Sequence, residues 1–103
     1  MPASMPVLIY GRSASEPFQE QSETIDVSAN GGLMPVTVEV IKSQKLLLTN
    51  LLTNQELPCR VARLVRTVEG KTLAGVEFLH PSAGFWGEYL PSTPSEAASR
   101  MRP

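Results

Sequence analysis

Several things are scarce in this chain, and each scarcity excludes something. Cysteine occurs once, at Cys59, so no internal disulfide can form. In a small domain that points to a reducing compartment. Long apolar runs are missing too. Val7-Leu8-Ile9-Tyr10 is too short for the core of a secretory signal, no basic stretch precedes it, and nothing approaches the roughly 18 apolar residues of a membrane span. Charge of one sign is not in excess: nine Lys and Arg face ten Asp and Glu, a formal net of -1. A chain that grips nucleic acid through its phosphates normally carries a basic surplus. Histidine occurs once, and His80 and Cys59 make no metal-ligand cluster. His80 has no nucleophile with a fixed partner in the pattern around it. No glycine loop has the spacing that cradles a dinucleotide or a nucleoside triphosphate. The expectation is a soluble, cytoplasmic protein that is not an enzyme, needs no metal or cofactor and does not bind nucleic acid.

What is present supports one modest core. The 103 residues are 42% hydrophobic and 18% charged, a balance that folds rather than stays disordered and suffices for a single domain. Nine prolines and seven glycines cut the chain into short pieces and leave little room for long helices. Pro6–Tyr10 is β-prone and closed by Gly11, and residues 12–17 read as a connecting loop. Phe18–Ser28 is polar and β-branched. Its alternation sets Ile25 and Val27 on one face and Thr24, Asp26 and Ser28 on the other. Asn30-Gly31-Gly32 breaks that strand at a turn or bulge where backbone or ligand must come close. Leu33–Ile41 and Gln44–Asn50 read as extended, with a polar turn through Thr53-Asn54-Gln55.

Cys59–Val68 fits two templates. Val61, Leu64, Val65 and Val68 have helical spacing. Cys59, Val61, Val65 and Thr67 fit one face of a strand, with Arg63 as the exception. Pro58 before the segment, Glu69-Gly70-Lys71 after it and the β-branched content favour the strand. Thr72–Leu79 then returns as its hairpin partner. Cys59, flanked at strand spacing by Leu57 and Val61, reads as a buried hydrophobe rather than a reactive thiol. About six strands with frequent turns predict an all-β antiparallel barrel over residues 1–91, with a short helical or irregular C-terminal segment. Phe85, Trp86 and Tyr89 are expected at a barrel mouth, and 92–103 reads as a flexible tail.

Charge is uneven along the chain. Residues 1–41 carry one basic and five acidic side chains, and 42–71 carry six basic and two acidic. Pairing across strands is the simplest use of that pattern.

The segment that carries chemistry is Asp26-Val-Ser-Ala-Asn-Gly31. Asp26 and Ser28 project from the same side of a strand end, with Gly31 opening a gap beside them. A carboxylate there can accept two N–H bonds from a guanine edge, and the serine can add a third contact. The same residues can instead cap a β-turn by bonding to nearby amides. In this segment the sequence resembles the PilZ domain family, whose motif D/N-x-S-x-x-G is matched by Asp26, Ser28 and Gly31. Pro6–Gly11, Gln44-Lys45-Leu46, Cys59-Arg60-Val61, Gly75-Val76-Glu77-Phe78 and Phe85-Trp86-Gly87 extend the resemblance over roughly residues 5–91. It implies a six-stranded antiparallel barrel that senses the bacterial second messenger cyclic di-GMP, with Asp26, Ser28 and Gly31 at the ligand.

Members that bind this ligand carry an R-x-x-x-R motif just before the first strand. Here that stretch is Met1-Pro-Ala-Ser-Met5, without arginine. Two missing charge-assisted phosphate contacts, each worth roughly 1.5–3 kcal/mol, lower affinity by orders of magnitude unless basic groups come from elsewhere. Arg12, Arg60, Arg63 and Arg66 are the candidates. The alternative is a protein–protein interaction adaptor that docks its partner through Phe85, Trp86 and Tyr89.

Overall fold

The alternation of apolar and polar residues is realised as strands almost throughout. The computed structural model describes residues 2–13, 16–80, 82 and 84–87. Seven strands follow one another: β1 (Pro6–Ser13), β2 (Glu16–Glu23), β3 (Asp26–Ser28), β4 (Gly31–Val36), β5 (Lys45–Asn50), β6 (Gln55–Arg66) and β7 (Thr72–Phe78). All pairings are antiparallel, in the order β2-β1-β5-β6-β7-β4-β3. No α-helix occurs among the described residues, and no helix there is long and apolar enough to cross a membrane.

The two edges of this sheet, β2 and β3, are consecutive in sequence. Only Thr24 and Ile25 separate them, and these stay hydrogen-bonded. Thr24 N–H donates to Met5 O at 3.0 Å, while Ile25 N–H donates to Leu33 O on β4 at 2.8 Å. Residues 16–28 are thus one bent stretch that lies on β1 at one end and on β4 at the other, so the sheet curls towards closure. Side chains carry the seam further. Ser22 Oγ donates to Pro35 O at 2.7 Å, and the Glu20 carboxylate accepts from the amides of Thr37 and Val38. The count is seven rather than six because this bend interrupts the second strand. Barrels that bring their edges together in this way leave little unpaired backbone for aggregation.

The bend also overturns the alternation expected for Thr24–Ser28. Val27 is buried, but Ile25 is 47% exposed and Thr24 is buried. Thr24 Oγ1 accepts from Met5 N–H at 2.8 Å and donates to Ala3 O at 2.7 Å. A hydroxyl satisfied on both counts can sit inside at little cost, and its inward turn puts the next side chain out. Two boundaries move as well. The expected loop at 12–17 is narrower, since β1 runs to Ser13 and β2 starts at Glu16, and β4 ends at Val36 rather than reaching Ile41.

The core takes alternate residues from β1, β5, β6 and β7: Val7 and Ile9, Leu46 and Leu48, Cys59 and Val61, Ala74, Val76 and Phe78. Its far side is sealed by Phe85 and Trp86, both fully buried. Trp86 meets Phe85 edge to face at 4.9 Å between ring centres, and Phe78 meets Phe85 at 5.1 Å. The aromatics do cover the barrel, from a short turn closed by Phe85 N–H to Ser82 O. Being buried, Phe85 and Trp86 offer no docking surface, which corrects that part of the adaptor expectation. Tyr89 and the segment 92–103 lie outside the described residues. Buried Asn50 completes the seal, with Nδ2 donating to Phe85 O at 2.8 Å and Oδ1 accepting from Leu52 N–H at 3.0 Å.

Cys59 is a core residue, as its neighbours predict, and burial pushes its thiol from an ordinary 9.0 up to about 12. Unfolded chains lose this proton above pH 9 and the folded protein does not, so the thiol favours the fold below pH 9. That contribution is lost as pH rises from 9 to 12, by at most about 1.4 kcal/mol per pH unit. Denaturant titrations at pH 8 and pH 10.5 should therefore show a steeper loss in the wild type than in Cys59→Ala. Equal slopes would remove Cys59 from the alkaline transition.

Candidate functional site

Asp26 and Ser28 do lie on one side of β3, with buried Val27 between them. Strand pairing extends this face into two rows. One row reads Asp26 on β3, Leu33 on β4, Gly75 on β7 and Arg63 on β6. The neighbouring row, two residues along β3, β4 and β7 and three along β6, reads Ser28, Gly31, Glu77 and Arg60. Residues two apart on a strand share a face, so both rows look outward. Glycine stands in each row between bulkier neighbours, and an open groove of about 300 Å³ runs along this face. Asp26, Ser28, Leu33, Arg63, Gly75 and Glu77 are among its lining residues.

Three details define its chemistry. Ser28 Oγ accepts from Asn30 N–H at 3.3 Å, the turn-capping bond expected of that residue, and this leaves the hydroxyl proton for another acceptor. Asp26 is exposed, and its carboxyl is held below the usual carboxylate range. The Val27 amide and the Arg63 guanidinium both act in that direction. Its charge is therefore present at neutral pH. At the other end Arg60 and Glu77 form an exposed ion pair at 3.4 Å, one case of the expected pairing of charges across strands.

Gly31 lines the groove beside Ser28, and strand pairing gives it a steric role as well. A Cβ built on Gly31 would lie 1.9 Å from the carbonyl oxygen of Val76, so the glycine permits the close approach of β4 and β7. Its φ is not positive, unlike those of Gly70 and Gly87. Steric closeness, rather than left-handed backbone, is the reason for glycine here.

Of the four candidate arginines, Arg63 lines the groove together with Asp26, and one signal in the sequence marked Arg63. On a regular strand, Arg63 would share the inward face of Cys59 and Val61. The register shifts between Val61 and Arg63, so that Ala62 is the extra residue of a bulge. After it, Leu64 pairs with buried Ala74 and Arg63 faces outward across from Gly75. Bulges re-aim side chains in this way. The three-residue step from Val61 to Leu64 that imitates a helix is this bulge.

Among the described residues there is no group of three or more His, Cys, Asp or Glu able to hold a metal ion. No family model, curated protein or solved structure matches the chain.

Proposed function

We propose that this chain is a PilZ-type signalling module that binds cyclic di-GMP, with the Asp26–Ser28 groove as the seat of a guanine. The observation that carries the reading is the placement of an exposed carboxylate and a half-engaged hydroxyl on one groove beside a bend-and-turn motif of the D-x-S-x-x-G form. Guanine presents two adjacent N–H donors on its pairing edge. One carboxylate accepts both, while Ser28 donates to a ring or carbonyl acceptor. Adenine offers an acceptor where guanine has a donor, so the same carboxylate repels it. At about 300 Å³ the groove sits at the small end of ligand pockets. It suits one base and its phosphate, with the rest of the messenger lying over the barrel surface. Sensing inside a bacterial cell needs no catalysis, which agrees with the lack of an obvious nucleophile and base in the sequence.

Calorimetric titration of cyclic di-GMP tests the proposal. Saturable binding is expected, with cyclic di-AMP failing to compete. Asp26→Ala should weaken affinity at least tenfold, the equivalent of one charged hydrogen bond. It should leave the melting temperature nearly unchanged, since Asp26 is exposed. No saturable binding, or equal affinity in Asp26→Ala, would remove the reading.

A further inference from the structure

We propose that Arg63, laid over Gly75 by the β6 bulge, is the cation that holds the ligand's phosphate in this groove. The inference rests on the guanine reading of Asp26 and adds a phosphate-binding cation to it. It begins from the row Asp26–Leu33–Gly75–Arg63. Strand spacing sets the two ends of the row ~14 Å apart at the backbone, too far for a small ligand to bridge unless one side chain reaches inward. Arg63 does so. A Cβ on Gly75 would sit 2.8 Å from Arg63 Cγ and 3.0 Å from Nε, and its three nearest atoms all belong to that side chain. The arginine stem therefore occupies the space that any other residue at 75 would fill.

The guanidinium at the end of that stem is exposed and lines the groove with Asp26. Among the described residues it makes no hydrogen bond or ion pair, whereas Arg60, in the next row, is taken by Glu77. A carboxylate at one end of a row and a guanidinium leaning in from the other form a zwitterionic groove. A guanine nucleotide is zoned in the matching sense, with a donor-rich base edge and an anionic phosphate. Arginine suits the second task because its planar fork meets two phosphate oxygens at once.

Isothermal titration of cyclic di-GMP into the full chain and four variants tests the assignment. Arg63→Ala should weaken binding about 10- to 150-fold, the loss of one or two charged hydrogen bonds. It should also flatten the dependence of affinity on salt. Arg63→Lys should recover only part of that loss. Gly75→Ala keeps the arginine but evicts its stem, so it should also weaken binding. The double variant Arg63→Ala/Gly75→Ala should then bind no worse than Arg63→Ala alone, because one interaction is lost twice. Emission from Trp86, the single tryptophan, reports whether each variant is folded.

Additive losses in the double variant would overturn the seat on Gly75. Unchanged affinity in Arg63→Ala, with Asp26→Ala still impaired, would overturn the role of Arg63 and leave the guanine reading standing. Failure of the wild type to bind would remove both.

Discussion

Trp86→Ala is expected to destabilise the protein by about 3–5 kcal/mol, the usual cost of truncating a fully buried large aromatic. Domains of this size are stable by only about 5–15 kcal/mol in all, so the loss is a large part of the total and brings a protein at the lower end of that range close to unfolding at room temperature. The reason lies in how much converges on one side chain. Trp86 is 0% exposed. It packs edge to face on Phe85 and lies 6.0 Å from Phe78. Its indole N–H donates to both Ser28 O and Gly31 O, each at 3.0 Å. Those carbonyls flank the turn that joins β3 to β4, so a residue near the end of the described chain fastens the groove from beneath. Trp86→Phe separates the two contributions. It keeps a ring in the core but leaves two carbonyls without that donor, and should cost about 1–3 kcal/mol. Urea unfolding followed by circular dichroism measures both variants. A loss below 1 kcal/mol in Trp86→Ala would mean that the aromatic turn is not part of the cooperative core.

Gly31→Ala should be the most damaging of the single-methyl changes in the groove, at about 3 kcal/mol or a little more. The new Cβ meets the Val76 carbonyl at 1.9 Å, and that atom belongs to the β7 backbone, which cannot swing aside. Strands β4 and β7 must separate locally, straining the pairs Gly31–Glu77 and Gly32–Val76 and the bond from Phe78 N–H to Asn30 O at 2.7 Å. Overpacking ordinarily costs 1–3 kcal/mol, and a clash with backbone belongs at its upper end. Gly32→Ala provides the comparison. Its Cβ would face inward, 3.1 Å from Trp86 Cζ2 and 3.3 Å from Asp26 O, contacts relieved by shifts of a few tenths of an ångström. A cost near 1 kcal/mol is expected there. Equal losses at 31 and 32, measured by the same denaturant titrations, would contradict the close-approach explanation. A glycine present only for ligand access would show the reverse pattern, with Gly31→Ala stable but impaired in binding.

These two residues show how differently parts of the molecule were legible. The bulk of Trp86 pointed to packing at the barrel mouth; its burial is found, but the indole bonds to Ser28 O and Gly31 O were not foreseen. Gly31 was visible as a motif glycine, but its reason was not. That reason is an atom of residue 76, brought alongside only by the pairing of β4 with β7.

By itself, the sequence determined what depends on neighbours along the chain. Apolar residues at every second position specified antiparallel strands and an all-β class, and Leu57-x-Cys59-x-Val61 placed the thiol inside. Asp26-x-Ser28 set two polar groups on one side of a strand. Only the tertiary structure decided what depends on register between strands. It turned Thr24 inward, because Ala3 and Met5 lie across from it as hydrogen-bond partners. It inserted Ala62 as an extra residue in β6, which sent Arg63 outward and set it across from Gly75. Periodicity is a property of one strand, readable from its own residues. A row across four strands is set by packing and pairing between segments dozens of residues apart, and no local pattern of side chains encodes which of them will meet.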